Sequence, residues 1–333
     1  MARIVLTHTV TDRKDKYGDA AVAGLRRLGD LVLNNTETPL SVDGLIDLAG
    51  DADVIVLDRM VPGEPKLFRA LPRLVAIHRA AMDIRNIDVA SASAQGVLVT
   101  RAGPGFIPAV TELILGQMID LARGMSGFVA EYRRGVIPPQ RQGIQLAGRT
   151  AGIAGFGNLG RRMAEILSFL GMRVLVTDPQ APVPAPYEKV ELDRLAAESD
   201  FLLCLVIHSP ATEKLMNAAV FRKMKPTAFF LNHSRGGLLD EADLERALDE
   251  GWIAGAALDV GRAPPDDTPP LALGTHPEVL ATPHIGCITP EVVTAQAADT
   301  VEQAAAVLAG RMPKFPVNPD HATRLARRGA AVP

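Results

Sequence analysis

The chain of 333 residues carries 35 lysine and arginine residues against 38 aspartate and glutamate residues, a formal net charge of −3. This length indicates two domains, and a composition of 47% hydrophobic and 22% charged residues excludes wholesale disorder. The balanced charge and an aromatic fraction of 4% argue against nucleic acid as a partner.

Targeting and membrane signals are not evident in the sequence. The longest apolar runs are far shorter than the roughly 20 residues that a membrane span needs. Met1–Val10 lacks the pattern of a signal peptide, because Thr7, His8 and Thr9 interrupt it. Cys204 and Cys287 form neither a disulfide framework nor a metal site. We therefore expect a cytoplasmic protein with no membrane partner and no metal ion.

Short β-branched runs alternate with amphipathic stretches over the first hundred residues. Strands are predicted at Arg3–Thr7, Leu31–Leu33, Val54–Leu57, Leu74–Ile77 and Val97–Thr100. Helices are predicted at Asp19–Leu28, Val42–Ala49, Glu64–Ala70 and Ile87–Ala94. Hydrophobic strands separated by helices predict a parallel sheet that is covered on both faces.

A long helix is predicted next, from Phe106 to about Arg134, as a bridge into a second domain or a surface for another subunit. Further strands are predicted at Thr150–Ala154, Arg173–Thr177, Phe201–Val206, Ala228–Leu231, Ile253–Leu258 and Val279–Thr282. Further helices are predicted at Leu159–Leu170, Glu241–Glu250 and Thr294–Leu308, and the tail Lys314–Pro333 is expected to fray. The predicted fold class is α/β, with two doubly wound parallel-sheet domains of Rossmann or flavodoxin type and a cleft between them.

The segment Gly155-Phe156-Gly157-Asn158-Leu159-Gly160 is a G-x-G-x-x-G sequence between a predicted strand and a predicted helix. The first glycine allows a tight turn, the second lets a pyrophosphate approach the backbone, and the third lets helix and strand pack closely. Asp178 ends the next strand, where its carboxylate can accept hydrogen bonds from both ribose hydroxyls and would repel a 2′-phosphate. Pro179–Pro186 contains no lysine or arginine. The set predicts a dinucleotide site that prefers NAD over NADP.

Three polar residues follow predicted strands of the second half, namely Arg235, Asp259 and His284. A guanidinium can hold a carboxylate in bidentate geometry, and an imidazole titrates near neutrality. Ligands of open α/β sheets lie beyond the carboxyl ends of the strands. Together the three residues predict a site for an anionic substrate whose carbonyl is reduced or whose hydroxyl is oxidised. Taken singly, each could equally be a surface ion pair, a helix cap or a structural histidine.

These motifs resemble the D-isomer-specific 2-hydroxyacid dehydrogenases, the family that includes D-3-phosphoglycerate dehydrogenase, over roughly residues 50 to 310. The matching segments are Gly155–Gly160 with Arg161, Asp178, His208-Ser209-Pro210-Ala211-Thr212, Asn232–Gly237, Ala257-Leu258-Asp259-Val260, Thr282–Gly286 and Val110-Thr111-Glu112. The resemblance implies an NAD-dependent oxidoreductase of small 2-oxo or 2-hydroxy acids. It also implies an NAD-binding domain at residues 102–289, a substrate domain at 1–101 with 290–333, and a homodimer through the 106–134 helix.

The resemblance assigns roles to individual residues. Arg235 would hold the substrate carboxylate, His284 would exchange a proton with the substrate oxygen, and Asp259 would contact the nicotinamide carboxamide. The residues implied to bind the cofactor are Gly155, Gly157, Asn158, Leu159, Gly160, Asp178, His208, Pro210, Thr212, Ser234, Asp259 and Gly286. The residues implied to bind the substrate are Arg79, Ala80, Ala81, Arg235 and His284.

One departure from the family concerns proton transfer. Relatives place a glutamate, paired with the catalytic histidine, five residues after the aspartate, where this chain has Pro264. We expect weaker acid catalysis or a reductive optimum at lower pH, unless Asp266 or Asp267 approaches His284. Two other functions stay open, an NAD(H)-sensing or interaction protein with little turnover and a formate-type NAD-dependent oxidase that needs no proton shuttle.

A second departure concerns the substrate loop. Relatives have Gly-x-Gly where this chain has Arg79-Ala80-Ala81-Met82-Asp83. The Ala81 methyl narrows the space through which backbone amides could approach the substrate carboxylate. Asp83 is expected to point outward or to pair with Arg79 or Arg85. Arg79 matches an arginine that phosphoglycerate dehydrogenases use on the distal charged group of their substrate. A second anionic group on the substrate is therefore one expectation, and a surface arginine is the other.

Overall fold

The computed structural model describes residues 1–264 and 267–330. They form two compact units, one of Met1–Gly105 with the residues from Thr289 onward, and one of Phe106–Ile288. The first unit begins with strands β1 (Arg3–Leu6), β2 (Asp30–Leu33), β3 (Val54–Leu57), β4 (Ala76–Arg79) and β5 (Leu98–Thr100). Its first helices are α1 (Val10–Lys16), α2 (Asp19–Leu28), α3 (Val42–Ala49), α4 (Pro65–Ala70) and α5 (Val89–Ala94).

The second unit contains seven strands among the described residues. They are β6 (Thr150–Ala154), β7 (Arg173–Thr177), β8 (Glu188–Lys189), β9 (Phe201–Cys204), β10 (Phe229–Asn232), β11 (Gly255–Leu258) and β12 (Val279–Ala281). Its helices are α6 (Ile107–Arg123), α7 (Met125–Arg133), α8 (Asn158–Phe169), α9 (Leu192–Glu198), α10 (Ala218–Phe221), α11 (Glu241–Asp249) and α12 (Leu271–Gly274). The chain then returns to the first unit with α13 (Pro290–Leu308) and α14 (Thr323–Ala330).

Both sheets are parallel. The first has the order β2-β1-β3-β4-β5, and the second has the order β12-β11-β10-β9-β6-β7-β8. All four residues of β3 and of β9 are buried, as expected for strands whose two faces are both covered by helices. The predicted fold class of two doubly wound parallel sheets is confirmed. Its sheets place the carboxyl ends of neighbouring strands side by side, which is where a site can be assembled.

The switch point of the second sheet lies between β6 and β9, because β7 and β8 extend from β6 to one side while β9, β10, β11 and β12 extend to the other. Loops that leave β6 and β9 therefore diverge and leave a crevice at that edge. The glycine-rich segment follows β6, so the fold places it at the switch point.

Several predicted elements differ from the structure. The long helix breaks into α6 and α7 at Gly124, whose φ of +65° is left-handed and ends the first helix. Strand β4 begins later than predicted and runs to Arg79, because its pairing with β3 extends past the apolar run. The tail prediction was wrong for Thr323–Ala330, which is helical, with Leu325 only 3% exposed. Helix α13 begins at Pro290, because the Thr289 hydroxyl accepts a hydrogen bond from the N–H of Val292.

Candidate active site

In the glycine-rich turn between β6 and α8, the three glycines differ in backbone conformation and in the space available for a side chain. Gly155 has a φ of +95°, which side chains rarely adopt. A Cβ added at Gly160 would overlap the carbonyl oxygen of Gly155. A Cβ added at Gly157 would meet nothing within 4 Å, so the backbone there faces open space. The backbone of the turn therefore requires glycine at its first and third positions and is accessible at its second.

The N-terminus of α8 follows this turn directly. The helix has twelve residues, and its N-cap, Gly157, offers no side-chain hydrogen bond, so the first backbone N–H groups remain available. Asp178 follows β7 and accepts hydrogen bonds from the N–H groups of Phe156 at 2.8 Å and Ala181 at 2.8 Å. Partial burial opposes ionisation, but these donors lower the pKa of Asp178. The arrangement fits the phosphates and ribose of a dinucleotide.

The loops after β9, β10 and β11 are joined by a polar network that the sequence did not reveal. His208 Nε2 lies 2.6 Å from a carboxylate oxygen of Glu213, and the other oxygen of Glu213 pairs with Arg262. Arg262 also donates to the carbonyl of Gly237 at 3.2 Å. Ser234 Oγ donates to the carbonyl of Val206 at 2.6 Å. Glu213 and Arg262 were missed because they pair with each other across 49 residues of the chain.

Two further residues predicted to bind the cofactor belong to the same loop as His208. The hydroxyl of Thr212 accepts a hydrogen bond from the N–H of Ser209 at 2.8 Å, which shapes the turn. Pro210 is exposed in the same loop. The loop is thus internally ordered at the carboxyl edge of the sheet.

Asp259 shapes the loop that carries His284. Asp259 follows β11 and is only 3% exposed. Its carboxylate accepts hydrogen bonds from the hydroxyl of Thr282 at 2.6 Å and from the N–H groups of Ile285 at 2.8 Å and Gly286 at 2.9 Å. His284, between these donors, has a left-handed φ of +55°. The carboxylate thus determines the conformation of the loop on both sides of the imidazole.

Arg235 lies on the loop after β10 and is half-buried, with one guanidinium nitrogen 2.7 Å from the carbonyl of Ser234. Burial raises the pKa of Cys287 to about 11, with Asp259 adding to the rise. The positive charge of Arg235 acts in the opposite direction and lowers the pKa of the Cys287 thiol. Arg235, Asp259 and the His284 loop therefore share one edge of the second sheet.

The residues of the first unit predicted to bind substrate lie at the end of β4. Arg79 is 5% exposed, so it is not a surface arginine. Burial lowers the pKa of Arg79 to about 10, with Asp58 and Asp83 opposing and Arg59 adding to this effect. Asp58, itself 6% exposed, accepts hydrogen bonds from Thr7 and from two backbone N–H groups.

Two expectations about carboxylates have different outcomes. Asp83 pairs with Arg85 at 2.7 Å, as expected. Pro264 is exposed at the position of the family's glutamate, and Asp266 lies outside the described residues.

Within the described part of the chain, no helix is long and apolar enough to cross a membrane. No cluster of His, Cys, Asp or Glu side chains in that part is arranged to hold a metal ion.

A strand, a glycine turn and a helix at the switch point of a parallel sheet define a dinucleotide-binding protein. A family model described as D-isomer specific 2-hydroxyacid dehydrogenase, NAD binding domain, matches residues 115–286. Hydroxypyruvate reductase of Thermotoga maritima is 32% identical over 274 residues, covering 81% of this chain and 90% of that protein. This chain belongs to the D-isomer specific 2-hydroxyacid dehydrogenase family, and the resemblance inferred from its motifs is confirmed.

Other relatives are longer or known by structure. D-3-phosphoglycerate dehydrogenase of Methanocaldococcus jannaschii is 32% identical over 311 residues, which cover 91% of this chain but 58% of that protein. The chain spans about half the length of this and two further D-3-phosphoglycerate dehydrogenases that it matches. The crystal structure of TT0316 protein from Thermus thermophilus is similar, with a TM-score of 0.84 and 28% identity over 95% of this chain and 99% of that one.

Proposed function

We propose that this chain transfers hydride between NAD(H) and a small 2-oxo or 2-hydroxy acid. The observation that carries the proposal is the set of hydrogen bonds from the His284 loop to Asp259. These bonds hold a titratable imidazole at the same sheet edge as Arg235 and the dinucleotide turn. The sensing protein and the formate-type oxidase remain as the competing functions that the experiment below distinguishes.

The residues that would hold the dinucleotide come from the loops of the second unit. Gly155, Gly157, Asn158, Leu159 and Gly160 would bind the pyrophosphate at the N-terminus of α8. Asp178 would accept hydrogen bonds from the ribose, and a 2′-phosphate at that position would face its negative charge, which supports NAD over NADP. The remaining cofactor contacts in the proposal are His208, Pro210, Thr212, Ser234, Asp259 and Gly286. When bound, the nicotinamide supplies or accepts the hydride.

The proposed chemistry assigns the substrate to two side chains. Arg235 would bind the carboxylate through two parallel hydrogen bonds and stabilise negative charge on the adjacent oxygen. His284 would give a proton to that oxygen during reduction and take it back during oxidation. Because Asp259 fixes the backbone on both sides of His284, the imidazole would be oriented before the substrate arrives.

The proposed substrate carries a single anionic group. Arg79, Ala80 and Ala81 of the first unit are its further proposed contacts. The buried Arg79 has a buried carboxylate, Asp58, within electrostatic reach, so much of its positive charge is already balanced. A second phosphate or carboxylate would also approach the charge of Asp58. Arg59 adds positive charge there, but it is exposed and screened by solvent. This favours oxo acids with an uncharged tail over phosphorylated ones.

Oxidation of NADH with a panel of oxo acids tests the function. We expect turnover of glyoxylate, pyruvate or hydroxypyruvate, and at least roughly tenfold lower kcat/KM for diacids and phosphorylated oxo acids. Arg235→Gln should lower kcat/KM by about 100-fold or more, because the carboxylate loses a charged bidentate partner. Arg222→Gln, which removes an equal charge from an arginine stacked on Trp252, is the matched control.

The competing functions predict other outcomes. Tight NADH binding without turnover of any oxo acid would favour a sensing protein. Formate oxidation that survives His284→Gln would favour a reaction without a proton shuttle. Preferred turnover of a phosphorylated oxo acid would keep the enzyme class but contradict the single-anion substrate.

A homodimer through α6 and α7 is also proposed. Apolar side chains project from α7 and the segment after it, among them Tyr132 at 61% and Ile137 at 83% exposure. Burying such a surface against a second copy would be favourable. Light scattering should give twice the chain mass of 35.4 kDa, and Tyr132→Glu should reduce it. A single-chain mass at micromolar concentration would contradict the dimer.

A further inference from the structure

A directional chain of hydrogen bonds crosses the interior of the second unit. It starts at His233, whose Nε2 lies 2.7 Å from Gln117 Oε1. Gln117 Nε2 donates to the hydroxyl of Thr282 at 3.2 Å, and Thr282 donates to Asp259 at 2.6 Å. His233 and Gln117 are each 6% exposed, so water competes little for these bonds.

The protonation of the chain follows from its chemistry. The carbonyl oxygen of an amide can only accept, so Nε2 of His233 carries the hydrogen and Nδ1 is bare. Nδ1 is buried without a hydrogen-bond partner in the described residues. Burial lowers the pKa of His233 to about 4, with Asp259 opposing, so the ring is neutral near pH 7. Each member then donates to the next, and the last acceptor is the Asp259 carboxylate.

The chain connects the two loops that carry the proposed catalytic side chains. His233 stands two residues before Arg235, and Thr282 stands two residues before His284. Gln117 lies on α6, so a rigid helix holds both loops. None of the residues His233, Gln117 and Thr282 was singled out by the sequence for this role, because Gln117 and Thr282 are 165 residues apart along the chain.

We propose that Gln117 and His233 are positioning residues that fix the imidazole of His284 relative to the guanidinium of Arg235. The inference rests on the function proposed above. Gln117 fits the role because an amide both accepts from one loop and donates to the other.

Gln117→Leu tests the role of the amide, since leucine is similar in size and forms neither hydrogen bond. We expect a fall of up to about 100-fold in kcat, because small misplacement of a catalytic group is costly. Kd for NADH should stay within about twofold, and the pH profile of kcat should shift relative to wild type. Met118→Leu, at a fully buried neighbouring position of α6, is the matched control and should change none of these.

Two variants at His233 complete the test. His233→Gln retains a donor for Gln117 and should keep kcat within about threefold of wild type, whereas His233→Leu should behave like Gln117→Leu. The double variant should lose little more than either single one, because both break the same chain. Equal loss of kcat and of NADH affinity, or additive losses, would overturn the inference.

Crystal structures separate this inference from the proposed function. If wild type turns over no oxo acid, the proposed function fails on its own. The structures of wild type and Gln117→Leu then still test positioning. We expect the imidazole of His284 to change its position relative to the guanidinium of Arg235 in the variant, and a His284 that superimposes on wild type would overturn the inference.

Discussion

At the scale of single residues, burial sets apart three histidines. His8, His78 and His233 are at most 6% exposed. Burial lowers the pKa of His8 to about 4 and of His78 to about 3, with Asp58 partly opposing the shift at His8. These rings are neutral in the folded protein near pH 7, and protonating them requires a charge in a dry interior.

The burial of His8 predicts acid sensitivity. In the unfolded chain His8 takes up a proton as the pH falls below about 6.5, whereas in the folded protein it does so only near pH 4. The contribution of neutral His8 to the free energy of unfolding is therefore fully present above about pH 6.5 and is lost as the pH falls from 6.5 to 4. For this residue, the free energy of unfolding falls by at most about 3 kcal/mol. Urea unfolding midpoints at about pH 7 and pH 4.5 measure it, and His8→Phe, which keeps the ring against Tyr17, should reduce the difference.

His321 supplies the control for this measurement because it is exposed. His321→Gln should leave the pH dependence of wild type unchanged. If His8→Phe shows the same fall in midpoint between these two pH values as wild type, burial of His8 is not a cause of acid sensitivity.

Which residues the sequence could reveal depends on how far apart their partners lie. Arg235, Asp259 and His284 each follow a recognisable strand, and the fold places all three at one edge. Gln117, Glu213 and Arg262 carry no local pattern, because each pairs with residues that are distant along the chain. Those interactions exist only after the sheet has assembled.

At the scale of elements, the strand–turn–helix unit from β6 to α8 shows why local sequence can predict local geometry. The spacing of its glycines follows from the left-handed φ of Gly155 and the close contact at Gly160, and both arise within this short segment. The break of the long helix at Gly124 was missed, because a glycine within a helical pattern is often tolerated and does not by itself locate an end. The start of α13 depended on the hydroxyl of Thr289 as a cap.

The glycine turn gives a pair of matched predictions. Gly157→Ala should leave the free energy of unfolding within about 0.5 kcal/mol, since its methyl meets open space and its φ of −75° suits alanine. It should weaken NADH binding at least roughly tenfold, because the methyl occupies the approach to the backbone. Gly160→Ala should cost about 1–3 kcal/mol, because its methyl overlaps the Gly155 carbonyl oxygen.

Fluorescence titration with NADH and urea unfolding of both variants measure these effects. If Gly157→Ala binds NADH as wild type does, the pyrophosphate does not approach the backbone at Gly157. If Gly160→Ala is as stable as wild type, close packing of helix and strand at that glycine is not required.

At the scale of the whole molecule, the first unit is built from both ends of the chain. Helix α13 packs against α2, and Tyr17 and Thr300 share a hydrogen bond of 2.6 Å. Local patterns predicted a late helix but could not say which sheet it covers, since amphipathic helices fit either. The family resemblance supplied that assignment, while the alternation of strands and helices was enough to predict two parallel sheets.

Transfer of deuterium from NADH that carries deuterium at both C4 positions tests the central claim most directly. We expect wild type to place the label on C2 of the hydroxy acid formed from glyoxylate, pyruvate or hydroxypyruvate, as read by mass spectrometry. Arg235→Gln and His284→Gln should each form little labelled product at equal enzyme concentration. Absence of label from every product of the wild-type protein, under conditions where NADH is bound, would contradict hydride transfer to a 2-oxo acid at this site.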